Sequence, residues 1–443
     1  MNDLKKYLQY ALKQGADEAE IFFTDSREES AVVRSGAIEK IESAGDRGLA
    51  VRVICQKRAG FAYTSSLEEA DILRAVEMAV SNAGYAERDK LLGLPQRAIV
   101  KPRDLRNYVP AAAQMTLPQL ADWAKRTEQA AYACDQRIFA TEASTAFAAA
   151  GATRLVNTRG MDVRQKKTLC GIVLEVAARA ADKMEAGYDF CYAVSPKKIS
   201  PEKIGRTAAG RALRMLDAVP AQTGRYDLLL TPAVARDFLS VLSEMFSAEN
   251  VLRRKSLFRN KLGRPVASAK VTLIDDPGRP GLSGSFLYDG EGVPGRRRVL
   301  VSAGRLKDYL YDAYSARKCG VRYAGNSARA SIFSEPHIAP SNLYLQPGTA
   351  DRQTLLKNIT NGLLIENIMG LHTADPVSGD FSFGATGQLI RSGRLAGAVK
   401  DMAIAGNLTE LLLQVVACGR DLEFSGPFGA PSVLISAVMV AGK

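Results

Sequence analysis

Apolar and polar positions change their period several times along the chain, and each change marks an element. Leu4, Tyr7, Leu8, Ala11 and Leu12 recur at helical spacing, and Gly15 follows where a helix would stop, so the chain is expected to open with an amphipathic helix. Alternation then takes over in five short stretches: 19–25, 30–34, 37–43, 48–55 and 60–64. Within the fourth, Leu49, Val51 and Val53 put an apolar side chain at every second position, as a half-buried strand requires. Ser66 and Glu69 have the spacing of a capping box for a helix running to about residue 82. Strands between two helices, without βαβ alternation, predict an α+β module.

Pro95, Pro102 and Pro110 and a lack of periodicity mark residues 93–110 as a linker. Thr116 and Gln119 form a second capping box, on a helix that carries the single tryptophan, Trp123, and ends near Cys134. Extended segments follow at 138–149, 153–157 and 161–180, with Asn157-Thr158-Arg159-Gly160 as a hairpin turn. Ser200-Pro201 opens a helix that closes near Leu216, and Thr223-Gly224 marks the next boundary. A strand at 226–230 leads into a helix opened by Thr231-Pro232 and reaching about residue 248. Beyond it the chain turns glycine-rich, with short strands at 271–274, 298–302, 343–346, 380–383 and 432–440. Ser392-Gly393 turns a hairpin between 387–391 and 394–399, and residues 407–418 read as a helix. The fold class expected is α+β: an N-terminal α+β domain (1–92), a middle α+β domain (111–222) and a large, antiparallel, β-rich and barrel-like C-terminal domain with a few helices (223–443). No internal repeat stands out.

The 443 residues exceed what one ordinary core needs, and 47% apolar with 24% charged residues is a globular composition. No apolar run is long enough to span a bilayer. The start, Met1-Asn2-Asp3-Leu4-Lys5-Lys6, lacks the apolar core of a secretory signal. Six cysteines occur, the nearest two being Cys170 and Cys191, so no CxxC pair exists; a reduced cytoplasmic protein with mostly buried thiols is expected. The net charge is +12, but its clusters are brief: Arg253-Arg254-Lys255 and Arg296-Arg297-Arg298. Neither has interleaved aromatics or a DNA-binding motif beside it, so both read as solvated faces, and nucleic acid is not expected as a partner.

Two histidines, His337 and His372, are all the chain has, which excludes HExxH and any pair of imidazoles one helical turn apart. A GxxxxGK[ST] loop is missing, and Gly281-Leu282-Ser283-Gly284-Ser285 departs from the G-x-S-x-G elbow at its last residue. A metal-independent hydrolase using Ser or Asp therefore has no motif to stand on.

Several landmarks, taken in order, resemble the TldD/PmbA (TldE) family. They are Gly15-Ala16-Asp17-Glu18-Ala19-Glu20, Gly60-Phe61-Ala62-Tyr63-Thr64, Asp275-Asp276-Pro277, Asp289-Gly290-Glu291-Gly292-Val293-Pro294, Tyr323-Ala324-Gly325-Asn326, Asn342-Leu343-Tyr344-Leu345, Ser378-Gly379-Asp380-Phe381, Ala405-Gly406-Asn407-Leu408 and Gly426-Pro427. The resemblance implies three domains and a heterodimeric metallopeptidase, whose TldD-type subunit holds zinc through an HExxxH helix and a distal Cys. PmbA-type subunits lack that motif. The corresponding helix here is the one opened by Thr231-Pro232, with Ser240 and Met245 roughly where the two His would lie. Neither side chain suits catalytic zinc. Glu244 could serve as a base only with metal-activated water, and is expected at the surface of an amphipathic core helix. Cys418 ends the last helix in this reading and is expected to be a buried small hydrophobe.

The resemblance thus implies a PmbA/TldE-type subunit with no catalytic residue and no metal of its own. Zinc is expected in a TldD-type metallopeptidase partner, extended peptides are the substrates, and a homodimer stays open for the isolated chain. Residues facing the peptide cavity or the partner are expected to be Asp289, Glu291, His372, Ser378 and Asp380. Asp275, Asp276, Asp289 and Glu291 equally suit turn chemistry. His372, three residues before Asp375, reads as a hydrogen-bonded loop residue, and His337 as another loop residue. Phe381 and Phe383 give 379–387 the character of a strand instead of a phosphate cradle, and its glycines suit an extended peptide adding to a sheet edge. The alternative class is a regulatory protein that binds protein or nucleic acid, since the family also carries the label of modulator of DNA gyrase.

Overall fold

The computed structural model describes residues 3–322 and 324–443; Met1, Asn2 and Tyr323, the first residue of one family landmark, lie outside it. The opening helix α1 (Lys5–Lys13) buries Tyr7, Leu8 and Ala11, the stripe that its sequence predicts. The five short stretches merge into three strands, β1 (Glu18–Arg34), β2 (Ala37–Cys55) and β3 (Arg58–Thr64), followed by α2 (Glu69–Ala83). The expected capping box on α2 does not form: Ser66 Oγ accepts the Glu68 N–H at 3.2 Å, and the cap position falls to Glu68. Residues 93–109 have no regular structure.

Helix α3 (Leu117–Tyr132) does carry its capping box, with the Thr116 N–H donating to Gln119 Oε1 at 2.9 Å. After it come β4 (Ile138–Asn157), β5 (Asp162–Ala180), a strand not predicted, β6 (Lys183–Ala193), and α4 (Pro201–Leu216). Pro201 occupies the first turn of α4 as expected, but Ser200 makes no side-chain cap.

These two units form one six-stranded sheet in the order β3-β2-β1-β4-β5-β6, because β1 pairs antiparallel with β4 from Glu20↔Asn157 to Val33↔Ser144. Each half runs helix, three strands, helix, and the halves are related about the β1–β4 seam. The same close packing recurs in both. A Cβ on Gly60 of β3 would lie 2.0 Å from Ala79 O and 2.9 Å from Ala83 Cβ of α2, and one on Gly187 of β6 would lie 2.4 Å from Ala208 O and 3.0 Å from Ala212 Cβ of α4. The chain thus contains a structural duplication where its sequence shows no repeat.

The third unit is built on β7 (Gly224–Leu230), α5 (Pro232–Ser243), β8 (Asn361–Met369), β9 (Asp380–Arg391), β10 (Arg394–Asn407) and β11 (Val433–Ala441). Pairings β11–β7–β8–β9–β10 return to β11 through Ala403↔Ala441, closing a barrel, with β7–β8 the parallel pair in it. Bulges at Ile365/Asn367, Ala385/Gly387 and Ile435/Val438 supply the bending that closure needs. Phe238 of α5 packs edge-on to Phe381 and Phe383 of β9 with centroids 5.6 and 5.3 Å away, seating the helix on the barrel. The helix expected at 407–418 is a short one, Leu408–Leu413, followed by a strand, Val415–Cys418, paired to β11.

Candidate functional site

Helix α5 begins where the sequence predicts, Thr231 Oγ1 accepting the Val234 N–H at 3.5 Å with Pro232 in the first turn. Its apolar side, Val234, Ala235, Phe238, Leu239 and Leu242, is buried. The other side carries Arg236, Asp237 and Ser240 and lines a cleft between the second and third units. Across the cleft stand β6 and α4. Tyr188, Phe190 and Tyr192 alternate along β6 with ring centroids 6.4 and 5.1 Å apart, forming an aromatic ladder. β6 ends its sheet, pairing only with β5.

Charged pairs fix the cleft walls. Arg211 of α4 meets Asp189 of β6 at 3.0 Å, Arg214 of α4 reaches Glu366 of β8 at 3.3 Å, and Arg236 lies 3.6 Å from Glu423. Tyr188 Oη donates to Asn367 Oδ1 at 2.9 Å, a second tie between the units. Burial pushes the Asp237 carboxyl up to about 6 against the pull of neighbouring Arg236, and burial raises Asp189 as well.

The residues present do not fit a catalytic zinc. Ser240 lines the cleft, its hydroxyl donating to Asp237 O at 2.7 Å, while Met245 is fully buried in the apolar core. The helix breaks between them: α5 ends at Ser243, and a 3-10 turn, Glu244–Phe246, replaces the continuous helix expected. Glu244 is exposed, as expected. Among the described residues no three His, Cys, Asp or Glu side chains are grouped to hold a metal. Cys418 is buried, as expected, but ends a strand instead of a helix; burial pushes its thiol up to about 11. The thiols as a set are less buried than expected: Cys134 and Cys319 are exposed and Cys55 and Cys191 half-buried.

None of the five residues named from the sequence lines this cleft. Asp289 and Glu291 sit instead where the third unit meets the first, each only 4% exposed. Asp289 performs the expected turn chemistry: Oδ1 accepts the N–H groups of Glu291 (2.9 Å) and Val293 (2.8 Å), and Oδ2 that of Ser327 (3.0 Å). Burial first, and the charge of Glu291 second, push its carboxyl up to about 8. Glu291 accepts both terminal nitrogens of Arg52 at 3.0 Å on one oxygen and the Ala313 N–H at 2.8 Å on the other. Arg52 also meets Glu20, which is paired in turn with Arg329. Asp275 is likewise buried, bonded to the Ser341 N–H and to Asn326, with burial raising it to about 6.

Ser378 and Asp380 do come together at the start of β9, where Asn407 Nδ2 donates to Ser378 O (2.8 Å) and Asp380 Oδ1 (2.9 Å). His372 lies exposed in the preceding 3-10 turn, and His337 is exposed elsewhere. β9 is paired on both sides, by β8 and β10, so its glycines offer no edge to a peptide; the open edge beside a cavity belongs to β6. The basic cluster at 296–298 is not wholly solvated either, since Arg298 is buried against Asp308 and Tyr311. The charged cleft residues that the sequence reading missed include Asp189, Arg211, Arg236, Asp237 and Glu366. The one local signal for them was a charged pair, Arg236-Asp237, inside an otherwise apolar helix.

Comparison with known proteins places this architecture. The PmbA/TldA metallopeptidase domain 1 matches residues 19–83, the central domain 110–216 and the C-terminal domain 223–442. The metalloprotease PmbA of Escherichia coli O157:H7 is 26% identical over 97% of this chain and 93% of its own. A Thermotoga maritima protein, named as a candidate modulator of a DNA gyrase, has a crystal structure that superposes with a TM-score of 0.90 at 29% identity, covering 98% of both chains. The structure of TldE from Thermococcus kodakarensis shares the fold at 24% identity, with a TM-score of 0.89 over 99% of this chain and all of that one. With all three domains matched in order along its length, this chain belongs to the PmbA/TldD family of metalloprotease-like proteins.

Proposed function

We propose that this chain is the PmbA/TldE-type subunit of a TldD–TldE-like metallopeptidase complex, holding no metal itself and helping to form the cavity in which extended peptides are cleaved. The observation that carries the reading is on α5: the helix turns Arg236, Asp237 and Ser240 to the cleft and buries Met245, so no imidazole stands where a hydrolytic ion would need one. Zinc would be supplied by a TldD-type partner. The work left to this chain is binding. The unpaired edge of β6 can hydrogen-bond an extended backbone with little sequence preference, and its aromatic ladder gives apolar side chains a surface. The six free thiols suit action in the cytoplasm.

Co-expression tests this directly. The purified chain alone should carry no stoichiometric zinc and leave a fluorogenic peptide intact, whereas a co-purified complex with a TldD-type chain should cleave it and lose activity to a chelator. Chelator-sensitive cleavage by the lone chain overturns the reading. So does a partner whose activity is the same with and without this chain.

A further inference from the structure

Strand β2 has a neighbour on only one side over more than half its length. β3 pairs with it from Leu49 to Cys55, so before Leu49 its outer edge meets no other strand among the described residues. Residues 37–45 on that edge are all exposed. The duplication in the sheet shows how the matching stretch is treated in the other half. There β6 pairs with β5 from Cys170 onward, and the part of β5 before it is covered by the linker and the third unit: the Thr168 N–H donates to Asn107 O at 3.0 Å, and Gln165 Nε2 to Tyr288 O at 2.8 Å. Among the described residues nothing covers 37–45 in this way. Two large apolar side chains lie bare on one face of the stretch. Ile41 pairs with Ala31 and Ile38 with Val33, and both partners belong to the apolar core built with α3, while Ile38 and Ile41 are 45% and 49% exposed. On the opposite face Lys40 and Glu42 form an ion pair of 2.5 Å.

We infer that the outer edge of β2 is a docking surface for a second copy of this chain, the two edges pairing antiparallel about a twofold axis at Ile41. In that register the edge is its own complement. Lys40 comes opposite Glu42 of the second copy, Glu42 opposite its Lys40, and Ile41 against its Ile41, with Glu39 facing Ser43. With the ion pair inside each copy, the four charges alternate in sign around the axis. Opposed side chains must share a face, so the nearest other registers are centred on Lys40 or on Glu42, and each sets two like charges directly opposite. An unrelated extended peptide would bond the bare main chain equally well, but a second copy also meets all three central side chains with their complements. The contact is isologous and closes at two copies, and it hides an edge that would otherwise invite open-ended stacking. It is independent of the peptide cleft, with which it shares no residue.

Sedimentation equilibrium of the full-length chain over a concentration series tests this, with circular dichroism and thermal melts to confirm that each variant is folded. The parent should form dimers and nothing larger. Lys40→Glu and Glu42→Lys each set like charges opposite one another twice across the axis, and each should weaken the dimer about tenfold or more. The double variant, Lys40→Glu with Glu42→Lys, restores both pairs and should dimerise as the parent does. Mixing the two single variants should produce a heterodimer, since an acidic edge then meets a basic one. The inference is overturned if the parent stays monomeric at every concentration, if the dimer tolerates either single reversal, or if the double variant and the mixture fail to recover it. A monomeric chain whose amides at 37–45 gain protection from hydrogen exchange only when an extended peptide is added would give the edge to a peptide, and overturn the inference as well.

Discussion

Arg52 and Glu291, 239 positions apart in the chain, meet through two N–H···O contacts of 3.0 Å each in the buried seam between the first and third units. Burial opposes the charge on Arg52, but Glu20 and Glu291 together outweigh it and raise the guanidinium pKa. With Arg329 completing the set, two cations and two anions from distant segments neutralise each other away from water. Such a set holds a geometry more than it adds net stability, and removing a single member leaves a charge stranded.

Glu291→Gln or Arg52→Met should therefore destabilise the chain by about 3–5 kcal/mol in urea unfolding. Arg34→Ala, which breaks the solvent-exposed pair with Glu39, should leave the midpoint essentially unchanged. Equal effects from the two changes would refute the buried lock.

Stability should fall as pH rises from about 4 to about 8. Asp289 has a folded pKa of about 8 against an ordinary value of 3.8, so the folded chain binds more protons than the unfolded chain throughout that window. The slope is then negative, at most about 1.4 kcal/mol per pH unit for one group. Asp275, raised to about 6, adds to the lower half. Asp289→Asn should flatten the profile above pH 6 in pH-resolved urea melts, whatever its effect on absolute stability.

Restoring histidines should not restore a metal site. Ser240→His with Met245→His should show no tight zinc binding by competition with a chromogenic chelator, because position 245 faces the core. Met245→His alone should cost about 2–5 kcal/mol, by cavity formation and burial of a polar ring. A stable, zinc-loaded double variant would contradict the placement of this turn.

The duplicated strand–helix contacts should respond alike to a single methyl group. Gly60→Ala and Gly187→Ala each drive a Cβ against helix backbone, at 2.0 and 2.4 Å, where no flexible side chain can yield. Each should cost about 1–3 kcal/mol, read as a lowered thermal midpoint. Gly36→Ala, with open space around its Cβ but φ +77°, tests backbone strain without any clash.

Helix boundaries set by Pro and cap residues were legible, as at Thr116, Pro201 and Thr231. The long strands were read in pieces, 19–25 and 30–34 for β1 and 37–43 and 48–55 for β2. Residues 26–29 and 44–47 interrupt the alternation with runs of polar and small residues, so each strand reads as two pieces. Leu408, Leu411, Leu412 and Val415 keep a helical period, yet residues 415–418 leave the helix for a partner, Val415↔Ile435, that no local pattern shows. The cleft was invisible for the same reason: Asp189, Asp237, Glu366 and Glu423 come from two units and meet only through tertiary packing. At Asp289 the turn was readable, but its burial depended on a docking surface 200 and more positions upstream.

The β1–β4 seam has one more consequence. Strand pairing across fourteen residue pairs means that the first two units are halves of a single cooperative object, tied covalently only by an irregular stretch at 93–109. A protease nick in that stretch should leave a nicked but intact particle, and the two fragments, expressed separately, should recombine. Either fragment alone would present a long row of bare amides and carbonyls, and would be prone to stack on its own copies into insoluble aggregates.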